Sequence, residues 1–362
     1  MTEEEADCSV NGKLSKLLVL LLALALVVVF LPGCKKEETT TDGEQPAATD
    51  VKAAMITDTA GLGDKSFNDL TWKGFERARD ELGIEVEVLE SATQNDYESN
   101  LDQLAAAGYS PLCATGFLLT ETVSKLSTAY PETMFFNIDG SFDPVPSNVV
   151  GIGFMENEGS YLAGVVAGLA TKDSFDDRLN ADNVIGFVGG MDVPLIRKFQ
   201  AGYEAGAKSV NPDVKIVALY TGSWNDVAKG KELGLSLIEQ GADVIYAAAG
   251  GCGEGTVRAC QEKGALFIGV DADQYNTIAN SGDVMLTSMM KNIDVVVFNL
   301  LEMFVQDKYP AGQQLIFGLK EDGVGLAPWH DFESKVPQAI KDAVETAREA
   351  IINGDVTVPE AL

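Results

Sequence analysis

From Val51 almost to its C-terminus this chain alternates short apolar runs with amphipathic stretches, a pattern that few folds accommodate. The runs at 51–57, 84–90, 112–116, 133–138 and 148–154 suit parallel strands buried on both faces. Helical spacing fills the intervals at 66–82, 95–107 and 119–130. After a helix at 157–171 a second series begins, with strands at 183–189, 214–220, 243–249 and 266–271. Helices at 194–210, 226–240 and 255–264 separate them. A strand at 284–290, a helix at 293–307, two short strands within 315–327 and a helix at 335–353 close the chain. Two βα series of similar length in 362 residues predict an α/β protein with two doubly wound parallel-sheet lobes.

What precedes Val51 is of another kind. Lys13 and Lys16 stand before an unbroken apolar run, Leu17 to Leu31, which is followed by Pro32-Gly33-Cys34. A positive flank, a run of that length and a small residue before the cut describe an export signal. The other reading is an uncleaved membrane anchor, for which the run is short, since a spanning helix needs about 20 apolar residues. Lys35 to Asp50 is polar and Thr-rich and reads as a flexible tether. The formal net charge of −29 argues against nucleic acid as a partner. Cys113, Cys252 and Cys260 remain beyond Cys34, so one disulfide and a free thiol are open. A bridge between Cys252 and Cys260 is not, at about two helical turns. A single histidine, His330, makes a zinc site improbable, and no metal or cofactor is expected.

The loop after the first strand carries Asp58, Gly61, Gly63 and Asp64, and Ser66 or Asp64 is placed to cap the helix that follows. In open α/β sheets ligands bind at the carboxyl ends of strands, where Phe67 and Asn68 would fall. The string TDxxGLxDKSFNxxxWxGF, from Thr57 to Phe75, resembles the opening of the basic membrane protein family, bacterial substrate-binding lipoproteins of ABC transporters. Leu31-Pro32-Gly33-Cys34 is similar to a lipobox with Pro at its second position, which implies cleavage before Cys34 and lipid on its sulfur. Four later places match the family pattern: Asn137 to Gly140, Pro194 to Gly202, Ala249 to Gly253, and Gly269 to Asp271 with Ser288 to Lys291.

The resemblance implies a type I periplasmic-binding-protein fold in which the chain crosses between lobes three times, near 154, 284 and 312. The expected organisation is a signal peptide at 1–33, a tether at 34–50, an N-terminal lobe from 51–154 plus 285–311, and a C-terminal lobe from 155–284 plus 312–362. It further implies an extracytoplasmic receptor, lipid-anchored to the cell membrane and monomeric, that gives a purine nucleoside such as inosine, guanosine or adenosine to a permease. On that reading Phe67 and Phe199 sandwich the base and Asn68 reads its edge. Asp58 and Asp139 accept from ring N–H or amino groups. Asp271 and Lys291 take the ribose diol, Trp224 closes over the sugar, and Gly250 and Gly251 let the backbone approach.

Each residue alone has a plainer role. A strand-end acid caps a helix as readily as it binds a ligand, Phe67 and Phe199 suit a core, and Asp271 with Lys291 suits a surface ion pair. The Gly250–Gly255 turn lacks GK[ST] and GxGxxG, which argues against a nucleotide-hydrolysing or dinucleotide-binding loop. No motif joins a histidine to a nucleophile, so no catalytic residue is expected. The alternative function is a surface lipoprotein of the same fold that binds another ring compound or a host or partner molecule.

Overall fold

The computed structural model describes residues 49–362. The expected signal peptide, Cys34 and nearly all of the tether lie outside the described residues. The first series runs β1 (Lys52–Ile56), α1 (Phe67–Leu82), β2 (Glu85–Leu89), α2 (Asp96–Ala106), β3 (Leu112–Thr115), α3 (Thr120–Ala129), β4 (Phe135–Ile138) and β5 (Val149–Phe154). The second runs α4 (Glu156–Ala170), β6 (Val184–Gly189), α5 (Pro194–Val210), β7 (Lys215–Tyr220), α6 (Val227–Glu239), β8 (Ala242–Ala248) and α7 (Cys252–Lys263). It continues through β9 (Leu266–Asp271), the single turn α8 (Gln274–Thr277) and β10 (Met285–Lys291). The chain ends with α9 (Ile293–Val305), β11 (Gln313–Phe317), β12 (Val324–Leu326) and α10 (Gln338–Ile352).

Two six-stranded sheets result, ordered β11-β5-β4-β3-β1-β2 and β12-β10-β9-β8-β6-β7. Every pairing is parallel except that of β10 with β12. The strands β1, β3, β4, β6, β8 and β9 are buried throughout apart from Lys52, as strands covered by helices on both faces must be. In the first sheet the order reverses between β1 and β3, in the second between β6 and β8. Such switch points open a crevice at the carboxyl ends of the strands.

The chain leaves the first sheet after Phe154. The later crossings differ from the expected ones near 284 and 312, each by one strand. β10 pairs with β9 in the second sheet, and β11 pairs with β5 in the first. The bounds 285–311 and 312–362 therefore misplace both strands. α9 does pack on α1, where a Cβ at Gly74 would collide with Val297. A strand's own periodicity records that it is buried, not which sheet buries it. α10 joins both lobes, with Ile340 in the core of the second and Ile351 in that of the first.

In the second lobe α4 and α5 approach so closely that a Cβ at Gly206 would be driven into the Tyr161 carbonyl oxygen, which fixes glycine there. Cys113, Cys252 and Cys260 are all buried and free. Among the described residues, no helix is long and apolar enough to cross a membrane.

Candidate functional site

The loops after β1, β3 and β4 face those after β6, β7, β8, β9 and β10 across a cavity with about 540 Å³ free of protein atoms, its open mouth included. Asp58, Phe67 and Asp139 line it from the first lobe. Phe199, Trp224, Gly250, Asp271 and Lys291 line it from the second. Of the residues expected to bind ligand, the fold gathers these eight and leaves two outside.

Asn68 is one of the two. It is fully buried, and its side chain faces two carboxylates rather than the cavity. Its Nδ2 donates to Asp58 Oδ1 at 2.8 Å and to Asp64 Oδ2 at 3.0 Å, while Asp58 N donates to its Oδ1 at 3.2 Å. No amide hydrogen is left for a base edge. Gly251 is the other. It precedes α7, and a Cβ there would come within 3.3 Å of the Trp224 carbonyl oxygen, so its smallness serves the loop beside it.

The start of α1 explains why Asp58 is held so firmly. Asp64, not Ser66, caps the helix: its Oδ1 accepts from Ser66 N at 2.9 Å and its Oδ2 from Asn68 N at 2.8 Å. Ser66 instead donates its hydroxyl across the cleft to Asp271 Oδ2 at 2.6 Å. Around the mouth, Asn225 Nδ2 donates to Thr59 O at 3.1 Å and Thr277 Oγ1 to Lys65 O at 3.0 Å. These bonds close the two lobes on one another.

Lys291 forms the floor. It is 1% exposed, and its Nζ donates to both oxygens of Asp139 at 2.8 Å and to Glu156 Oε1 at 3.2 Å. The same ammonium lies 5.1 Å from the centroid of the Phe67 ring and 5.8 Å from that of Phe199. Burial works against its charge, but Asp139, Glu156 and Asp271 outweigh burial and raise its pKa. Burial pushes the Asp139 carboxyl up to about 7, opposed by Lys291 and reinforced by Glu156. It raises Asp271 as well, against Lys291 and the Ser66 hydroxyl. Asp58 is raised by burial against the Ala60 N–H and the Asn68 amide. Both Asp139 and Asp271 have φ near 60°, the left-handed conformation that short polar side chains tolerate and that turns each off its strand.

Trp224 packs its ring where a Cβ at Gly190 would otherwise stand, and its Nε1 is buried with no protein partner. His330 sits elsewhere, 2.7 Å from Asp273 and stacked on Tyr275 at 4.0 Å. Chemically, the cavity offers the rings of Phe67, Phe117, Phe199 and Trp224, several hydrogen-bond acceptors and one ammonium.

The family model for "ABC transporter substrate-binding protein PnrA-like" matches residues 51–361. This chain belongs to that family. It is 34% identical over 357 residues to the "ABC transporter nucleoside-binding protein BmpA" of Lactococcus lactis subsp. cremoris, covering 93% of this chain and 97% of the relative. It is 35% identical over 361 residues to the "CD4+ T-cell-stimulating antigen" of Listeria innocua, covering 94% of this chain and 98% of that one. An ABC transporter solute-binding protein of Aeropyrum pernix K1 superposes with a TM-score of 0.78 at 27% identity, covering 85% of this chain and 94% of that chain.

Family membership makes the chain a substrate-binding protein of an ABC transporter, with the type I fold expected of one. Sequence reading missed several residues of the site, three of them with polar or ring side chains. Asp64 borders the cavity and Phe117 lines it beside Gly116. Glu156, 1% exposed, shares Lys291. Asp64 had a signal in its position ahead of α1. Glu156 had none, because it reads as an ordinary first-turn acid.

Proposed function

We propose that this protein captures a purine nucleoside in the interlobe cavity and presents it to the permease of an ABC importer, as a monomer anchored by lipid on Cys34. The observation that carries the reading is that Phe67 and Phe199, one from each lobe, line the same cavity as Asp58, Asp271 and Lys291. Two ring faces suit a flat base, for which stacking contributes ~1–3 kcal/mol per base. Asp271 offers an acceptor to a ribose hydroxyl beside the Lys291 ammonium, whose own three N–H groups go to Asp139 and Glu156. The acid excess argues against a 5′-phosphate, which would meet several buried carboxylates with one ammonium to offset them. Binding without turnover is the matching expectation, since Ser66 donates its hydroxyl to Asp271 while His330 pairs with Asp273 instead.

Mass spectrometry of what denaturation releases from the purified protein tests this reading, followed by calorimetry with inosine, guanosine and adenosine. A nucleoside released intact and binding of the same compound are expected. A different compound class in the cavity, or free base released beyond stoichiometry, would overturn it. For the anchor, Cys34→Ala should release the protein from membranes, and an unchanged membrane fraction would count against lipidation.

A further inference from the structure

Asn68 lies in the first turn of α1 with no exposed surface, yet it is one bond away from the cavity. The orientation of its amide is dictated by its neighbours. The N–H of Asp58 needs an acceptor, which must be Oδ1, and the two carboxyl oxygens at 2.8 and 3.0 Å need donors, which must be the hydrogens of Nδ2. Asp64, which holds the far side of the amide, is itself immobilised. Three backbone N–H groups, of Ser66, Asn68 and Asp69, donate to it at 2.9, 2.8 and 3.2 Å.

The consequence falls on Asp58. Its Oδ1 accepts from Ala60 N at 2.8 Å as well as from Asn68, so that oxygen is saturated. Its Oδ2 accepts from no group among the described residues, while the carboxyl borders the cavity. Beside it stands Gly116 at φ +114, where even a Cβ would remain 3.7 Å from Oδ2, so no side chain of that residue covers the oxygen. The ammonium of Lys291 is engaged by Asp139 and Glu156 rather than by Asp58. Asp58 thus presents one oxygen, fixed in direction and without a cation to neutralise it.

We propose that Asp64 and Asn68 are positioning residues that make Asp58 a one-oxygen acceptor, so that the site selects rings presenting an N–H to it over rings presenting a lone pair. This rests on the nucleoside reading. A 6-oxopurine carries N–H at its N1, whereas adenine carries a lone pair there. A buried acceptor facing a lone pair is left unpaired, and such sites reject the wrong analogue far more strongly than apolar pockets do.

The test is calorimetry with inosine, N1-methylinosine and adenosine on the wild-type chain, Asn68→Ala and Asp58→Asn. The wild type should favour inosine over N1-methylinosine and adenosine by at least about ten-fold, the effect of one charged hydrogen bond. Asn68→Ala should shrink the inosine-to-adenosine ratio, because Asp58 is then free to turn away, and Asp58→Asn should abolish or invert it. A merely structural role for Asn68 would weaken all three ligands by one factor, and an unchanged ratio overturns the proposal. Should thermal melting show that Asn68→Ala does not fold, Asp64→Asn loosens the same amide and reads the same ratio. Binding of inosine by the wild type with no discrimination would sink this proposal alone. Binding of none of the three would sink the nucleoside reading and the proposal with it.

Discussion

The cavity holds its carboxylates in two ways. Around Asp58 the donors are neutral, and they come from one strand-loop-helix unit between Asp58 and Asp69. Around Lys291 the contacts are between charges, and they come from the end of β4, the start of α4 and the end of β10. The first corner is complete within one lobe. The second exists only when Asp139 of the first sheet meets Lys291 of the second. It follows that lobe opening should leave the Asp58 corner intact and dismantle the Lys291 corner, so that closure and charge compensation are one event.

The largest effect should come from Lys291→Met. It leaves Asp139 buried beside Asp271 with no ammonium, while Glu156 keeps only Lys198 at 3.2 Å, and removing one partner of a buried ion pair typically costs ~3–5 kcal/mol. Chemical denaturation should register that loss. Asn68→Ala removes only neutral donors and should cost less, ~1–3 kcal/mol for carboxylates left under-satisfied. If the two variants lose equal stability, the distinction between the corners is wrong.

Ligand binding sharpens the same contrast. Asp271→Asn should weaken ribosides by ~1.5–3 kcal/mol, the contribution of a hydrogen bond to a charged group, and should weaken 2′-deoxyribosides less. Equal losses in calorimetry would remove the diol from this corner. Phe67→Ala should cost ~1–3 kcal/mol for any purine nucleoside, because stacking tolerates ring substituents. No loss there would return Phe67 to the core.

The elements were legible because each carries its own period: α5 at Pro194–Val210 coincides with the expected range, and β10 lies within one residue of its own. The sheet that each closing strand joins was not legible, since β10 and β11 read as buried runs wherever they pair. The cavity's residues were legible because they follow strands in a recognisable string. The role of Asn68 was not, as the amide that would read a base edge serves equally well to grip two carboxylates. Glu156 was invisible for another reason: its meaning depends on Lys291, 135 residues further along.

The smallest expected effect is a pH dependence of stability, and it asks whether both corners titrate. Burial pushes Asp139 and Asp64 each up to about 7, in the second case against four N–H donors. An unfolded Asp titrates near ~3.9. The folded state therefore holds more protons than the unfolded state between those values, and the slope of unfolding free energy with pH is negative there. The contribution is fully present below the unfolded value and is lost as pH rises through about 7. Exposed acids such as Asp80 and Glu81, lowered by Arg79 and Arg77, work the other way but complete their titration at lower pH. Chemical denaturation should accordingly show stability falling between pH 5.5 and pH 8, by roughly 1 kcal/mol for each group that titrates. Asp64→Asn and Asp139→Asn should each flatten part of that fall. If Asp139→Asn removes all of it, the neutral donors keep Asp64 ionised and only the Lys291 corner responds to pH. A flat or rising profile in the wild type would mean that neither carboxyl is displaced by burial as described.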